Sequence, residues 1–158
     1  MANFYLPEVI AIDAPLSLPL GLYNSEKKGR TCERELAQLG IPCYFTTEKS
    51  IIRKMVYRGI GLKNKLCQAG VQVIEVYPYA TKVRLFGKDI PSKTTLRGIA
   101  FLKEHLGNIL PALGPYLRAF NHDLCDAAIA AYTASLYCQD KTDAIGNSQE
   151  GLIFIPSP

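Results

Sequence analysis

Two apolar runs mark the chain. Val9 to Ile12, Val-Ile-Ala-Ile, stops on Asp13 and Pro15, and Val71 to Val76, Val-Gln-Val-Ile-Glu-Val, stops on Tyr77 and Pro78. Short runs rich in β-branched residues and bounded by proline predict strands, and the unbroken first one suits a strand covered on both faces. Other stretches carry helical spacing. Arg30 to Leu39, with Leu36 and Leu39 inward, closes on Gly40, where a left-handed residue is usual. Between Thr47 and Ala69 the residues Ile51, Ile52, Met55, Val56, Leu62, Leu66 and Cys67 recur with helical periodicity, and Gly59 and Gly61 predict a break into two. Thr94 to Leu106 predicts a helix, Asn108 to Leu117 a short helical segment started near Pro111, and Asn121 to Cys138 a long alanine-rich helix capped by Asn121.

The rest predicts connections. Leu16 to Gly29 is rich in proline and glycine, an exposed loop placed to act as a lid beside Asp13, and Ile41 to Thr46 reads as strand or loop. Thr81 to Pro91 predicts a turn-rich link, Gln139 to Glu150 a polar loop, and Leu152 to Ile155 an edge strand. With 158 residues and 48% apolar content, the pattern predicts a single three-layer α/β domain over residues 1–158.

Charge and cysteines narrow the setting. The five cysteines form an odd set with no Cys-x-x-Cys pair, and two histidines cannot complete a paired zinc motif, which predicts reduced thiols in a cytoplasmic protein. They are expected to act as small buried apolar residues. No run is long enough to predict a membrane span, and the N-terminus lacks the features of a secretion signal. The net charge of +4 permits attraction to phosphates without demanding it. Within the periodic segment 47–69, however, Lys49, Arg53, Lys54, Arg58, Lys63 and Lys65 face only Glu48. Such a stripe is either a solvated helix face or a footprint for phosphate backbones.

Three acids carry the candidate chemistry. Asp13 falls where a strand of an α/β sheet ends, the usual edge for ligand sites; an Asx turn ahead of Pro15 is the plainer explanation. Glu75 lies inside an apolar strand and needs a partner, for which Lys82 or Arg84 is the simple choice. Asp126 shares a helix face with Ala130, Thr133 and Tyr137, whereas Asp123 in the first turn is explained by the macrodipole alone. His105 is expected to be solvated. If the fold gathers Asp13, Glu75 and Asp126, they cannot all stay ionised without a cation, and Mg²⁺ or Mn²⁺ would then activate water and stabilise a leaving oxygen. No Gly-x-Ser-x-Gly, phosphate-binding glycine loop or His-Glu-x-x-His competes.

Four ordered strings, Ile10-Ala-Ile-Asp13-Ala-Pro-Leu16, Arg30-x-Cys32-Glu33, Val73-Ile-Glu75-Val-Tyr-Pro78 and His122-Asp123-x-x-Asp126-Ala127, resemble the prokaryotic domain-of-unknown-function family 429. That family is described as predicted nucleases of ribonuclease H-like fold. The resemblance implies a three-layer ribonuclease H-like sheet with helices on both faces. It assigns the acidic, metal-holding positions to Asp13, Glu75 and Asp126, with Asp123 beside them, and puts Arg30 near a substrate phosphate, with a pair to Glu33 or Glu26 as the alternative. Arg53, Lys54 and Arg58 complete the expected substrate contacts. It also implies that the family's N-terminal strands, with a Gly-x-Asp sequence, are missing ahead of Val9: either the start is truncated, or the member is shortened and another subunit completes its sheet, and a homo-oligomer through exposed sheet edges is expected. The expected activity is a Mg- or Mn-dependent nuclease or phosphodiesterase. An inactive scaffold binding nucleic acid or protein, and a hydrolase of small phosphorylated metabolites, are the alternatives.

Overall fold

The computed structural model describes residues 7–21 and 29–158. Both apolar runs form strands, β1 (Val9–Ile12) and β2 (Gln72–Val76), paired in parallel with Ile12 opposite Glu75. Two more strands, β3 (Thr142–Asn147) and β4 (Gly151–Pro156), form an antiparallel hairpin, and β4 lies parallel to β2. The described residues thus hold a four-stranded open sheet in the order β1-β2-β4-β3 within a mixed α/β fold.

Two expectations change here. The apolar run near the C-terminus is an interior strand, not an edge, and the polar stretch before it supplies the edge strand β3. An edge strand is hydrogen-bonded on one side only, so Thr-Asp-Ala-Ile-Gly-Asn serves despite its polarity.

The helices are α1 (Thr31–Gln38), α2 (Arg53–Gln68), α3 (Pro78–Phe86), α4 (Leu96–Ile109), a 3₁₀ helix (Pro111–Ala119) and α5 (His122–Tyr137). Strand alternation sends side chains both ways. Val9, Ala11, Ile74, Val76 and Phe154 pack against Ala130 and Ala134 of α5. Ile153 and Ile155 pack instead against Cys32 and Leu36 of α1 and Ala80 of α3. A separate cluster joins Leu102 and Leu106 of α4 to Cys125, Ala128 and Ile129 of α5. Each fully buried Leu or Ile there contributes roughly 2 kcal/mol of transfer free energy.

Other departures have local causes. The segment expected as turns after β2 is α3, begun by Pro78 at its first position, where a missing N–H costs nothing. Gly59 and Gly61 do not break α2. Gly59 is needed for proximity, since a Cβ there would lie 2.9 Å from the Pro15 carbonyl oxygen. His105 is half-buried rather than solvated, stacked on Phe101 at 3.9 Å between centroids with Phe86 beside it. All five cysteines are free; Cys32 and Cys125 are buried, but Cys67 and Cys138 are exposed. No helix among the described residues is long and apolar enough to cross a membrane. Residues 22–28 of the expected lid lie outside the described residues.

Candidate functional site

The crevice of interest opens where β1 and β2 end. Asp13 follows β1 directly, and since Val9 and Ala11 face α5, alternation turns Asp13 to the same side. There it meets the start of α5. Asn121 caps that helix by accepting a hydrogen bond from the Leu124 N–H at 2.9 Å, which puts Asp126 in the second turn, buried and aimed back at the sheet end.

Asp126 is held by two lysines. Lys82 Nζ donates to its Oδ1 at 2.9 Å, brought there because α3 packs on α5 and the Thr81 and Thr133 hydroxyls bond across at 3.0 Å. Lys93, on the loop before α4, donates to Oδ2 and keeps 45% of its side-chain surface exposed. Burial alone would lower the Lys93 pKa, but the hydrogen bond and charge of Asp126, then Asp13, hold it above its ordinary value. Lys93 is therefore a fixed cation at the rim.

Asp13 is different. No cation pairs directly with it among the described residues. Although open to solvent on one side, its carboxyl is pushed up to about 6. Lost hydration is the main cause and Asp126 the next; Lys93 and Lys82 pull the other way, and Glu75 adds least. A carboxyl that titrates near neutrality in a cleft suits proton transfer.

Glu75 points to the other face of the sheet. Its neighbours Ile74 and Val76 face α5, so Glu75 turns toward α1. Arg30, 1% exposed, grips it in a fork, Nη1 to Oε2 at 2.8 Å and Nη2 to Oε1 at 2.6 Å, and the Leu16 N–H adds a bond of 2.8 Å. Arg30 Nε also binds Glu33, which accepts from the Thr46 N–H at 2.8 Å. The partner of Glu75 is thus Arg30, not Lys82 or Arg84; Lys82 serves Asp126, and Arg84 pairs with Asp143 at 3.2 Å. Arg30 spends its donors on this network, whose buried pair to Glu33 replaces the expected surface pair; Glu26 lies outside the described residues.

A cavity of about 510 Å³ is lined by Asp13, Tyr44, Tyr77, Lys82, Lys93 and Asp126, with Ile52 and Met55 closing the side toward α2. A smaller one of about 80 Å³ shares Asp13, Tyr44 and Met55 and reaches Arg30 and Glu75. The structure thus brings Asp13 and Asp126 together and sets Glu75 behind them. Asp123 stands outside, its side chain 76% exposed. Arg53, Lys54 and Arg58 lie on the exposed face of α2. Lys93, Tyr44 and Tyr77 were not singled out from the sequence; Tyr77, directly after β2, had the signal of strand-end position, whereas Lys93 in a Pro-Ser-Lys loop had none.

The donor set does not fit Mg²⁺ or Mn²⁺ as arranged. Both oxygens of Asp126 and both of Glu75 already accept from cations, leaving Asp13 alone. No group of three or more metal-ligating side chains converges among the described residues.

A family model described as "Protein of unknown function (DUF429)" matches residues 2–150. The chain belongs to the DUF429 family. No curated protein and no solved structure matches it. The DUF429 match spans β1 to the β3–β4 turn and so includes every residue lining the crevice.

Proposed function

We propose that this DUF429 protein hydrolyses phosphodiester bonds of nucleic acid in the crevice beside Asp13, on an α/β frame of the ribonuclease H-like, three-layer kind. One observation carries the reading: a carboxyl titrating near 6 stands next to the fixed cation Lys93 in a cavity of about 510 Å³. Above that pH Asp13 accepts a proton from the attacking water as its oxygen bonds to phosphorus, while the P–O bond to the leaving sugar oxygen breaks and that oxygen takes a proton from solvent. Lys93, with Lys82 behind it, offers positive charge to the phosphoryl oxygens as negative charge builds in the transition state. Tyr44 and Tyr77 form walls against which a base or sugar rests.

The metal dependence expected from the family resemblance is not built into this mechanism, because a divalent ion between Asp13 and Asp126 would have to displace Lys93 first. The second reading, a non-catalytic nucleic-acid-binding scaffold, is favoured by one observation. Glu75 and Asp126 are both neutralised internally, as purely structural acids would be.

Cleavage of labelled single-stranded, duplex and branched substrates, with Mg²⁺, with Mn²⁺ and with chelator, separates these readings. Loss of a positioned proton acceptor lowers rates about 10²- to 10⁴-fold, so Asp13→Asn is expected to fall by at least about 100-fold. Cleavage unaffected by Asp13→Asn would sink the catalytic role, and activity retained in chelator would remove the metal from it.

A further inference from the structure

We infer that α2 is a docking track for a single nucleic-acid strand, leading the strand's phosphates into the Asp13 crevice. This rests on the phosphodiesterase reading above and names the form of its substrate. The geometry begins at Met55, which lines both cavities with Asp13. Residues three, seven and ten places along a helix from Met55 continue its stripe, and these are Arg58, Leu62 and Lys65, with Lys54 one turn before Arg58. All are exposed, and α2 contains no acid. The buried side of the helix is Val56 and Gly59, and Gly59 seats it directly on Pro15, two residues past Asp13. Track and crevice are therefore in direct contact.

The stripe carries apolar surface as well as charge. Ile51 is 81% exposed and Leu62 47%, whereas the Arg53 guanidinium and the Tyr57 ring, 5.7 Å apart, lie on the opposite flank of the helix, outside the stripe. Tyr44, 65% exposed, stands at the mouth shared by both cavities. Phosphates need spaced cations and unpaired bases need flat apolar faces, and this surface offers both. A solvated helix face explains the lysines but not the exposed Tyr44 at the crevice end of the stripe. A helix of this length extends about 24 Å, and a stripe that ends in a crevice of about 510 Å³ admits one strand but not the width of a duplex.

Three phosphate contacts, at Lys54, Arg58 and Lys65, predict that log affinity for a single strand falls with log salt with a slope of about −2. The experiment measures anisotropy of a fluorescein-labelled single-stranded oligonucleotide and of the matching duplex, between about 50 and 200 mM KCl, in the Asp13→Asn background. The single strand is expected to bind at least about tenfold more tightly than the duplex. Arg58→Glu with Lys65→Glu should weaken it by at least about tenfold and reduce the slope to about −0.7. Tyr44→Ala should weaken it by about fivefold or more with the slope unchanged, the signature of lost stacking. Unchanged melting curves confirm that these exposed variants fold.

Salt-independent binding, equal or tighter binding to the duplex, or indifference to the double reversal would each overturn the track. So would failure to bind either oligonucleotide while phosphatidylserine vesicles are bound, which would make α2 a membrane-surface helix. Strand binding with all these properties but no cleavage by the unaltered protein rejects the catalytic reading and leaves the track standing. Cleavage insensitive to the double reversal does the opposite.

Discussion

Asp13 titrates near pH 6 in the folded chain against an ordinary 3.8. The folded state therefore holds a proton that the unfolded chain has already released between about pH 4 and 6, and stability falls as pH rises through that window. The penalty persists at neutral pH. Asp13→Asn should remove it, raising stability at pH 7 by on the order of 1 kcal/mol once the solvent on the open side is allowed for, and by almost nothing at pH 3.5. Thermal melts at the two pH values check this, and a lower melting temperature for the variant at pH 7 would contradict it. The two lysines on Asp126 should separate in the same way. Lys82 is buried, so Lys82→Met leaves the buried Asp126 with only the half-exposed Lys93 and one oxygen unpaired, at a cost of roughly 2 kcal/mol. Lys93 is half in solvent, so Lys93→Met should cost under about 1 kcal/mol while still lowering activity. Denaturant titrations giving equal losses would show that the division of labour is wrong. The sequence made Asp13 and Asp126 visible by type and place, but not their partners. Glu75 and Arg30 are 45 residues apart, and nothing local in either says that the fold will pair them.

At the scale of elements, periodicity located α1, α4 and α5 to within a few residues, because each buries a stripe that its own spacing reveals, whereas α2 starts at Arg53 rather than Thr47 and runs unbroken through Gly59 and Gly61. Periodicity missed α3 and β3 for opposite reasons. α3 follows a strand with no break and carries Lys82 and Arg84 among apolar residues, so its faces are blurred by burial of Lys82 under α5. β3 is held by its hairpin partner rather than by strand-forming residues. Gly98 in the first turn of α4 tests how elements hold the site. Thr95 caps α4 by accepting a hydrogen bond from the Gly98 N–H at 3.0 Å, and a Cβ on Gly98 would overlap the Ser92 carbonyl oxygen. In an open helix Gly→Ala stabilises by up to about 1 kcal/mol. Here Gly98→Ala should destabilise by about 1 to 3 kcal/mol, because backbone has to move. That displaced backbone carries Lys93, so cleavage should fall further than melting alone explains. A stabilised variant would mean that the loop adapts freely and does not fix Lys93.

On the scale of the whole molecule, one acid joins the two ends of the described chain. Glu150, buried at the β3–β4 turn, accepts hydrogen bonds from the Leu20 N–H at 2.9 Å and the Thr31 N–H at 2.8 Å, and Asn147 orders its own N–H. The loop after Asp13, the start of α1 and the C-terminal hairpin meet there. Burial would raise the Glu150 pKa, but the Thr31 side-chain and backbone bonds, then Leu20 and Arg34, outweigh it and hold the carboxyl below 4.5. Its stabilisation is therefore fully present above the ordinary carboxylate range and is lost as pH falls through the lowered value, the reverse of Asp13. In sequence Glu150 was only the end of a polar loop, since its partners lie more than 110 residues away. Glu150→Gln keeps the shape but weakens charge-assisted bonds, and should cost about 2 kcal/mol at pH 7, a drop in melting temperature of roughly 5 °C. The gap between the variant and the unaltered protein should narrow as pH falls below the ordinary carboxylate range and close only once pH has passed the lowered value, when both carry a neutral side chain. A gap that persists undiminished in acid would mean that shape rather than charge closes this junction.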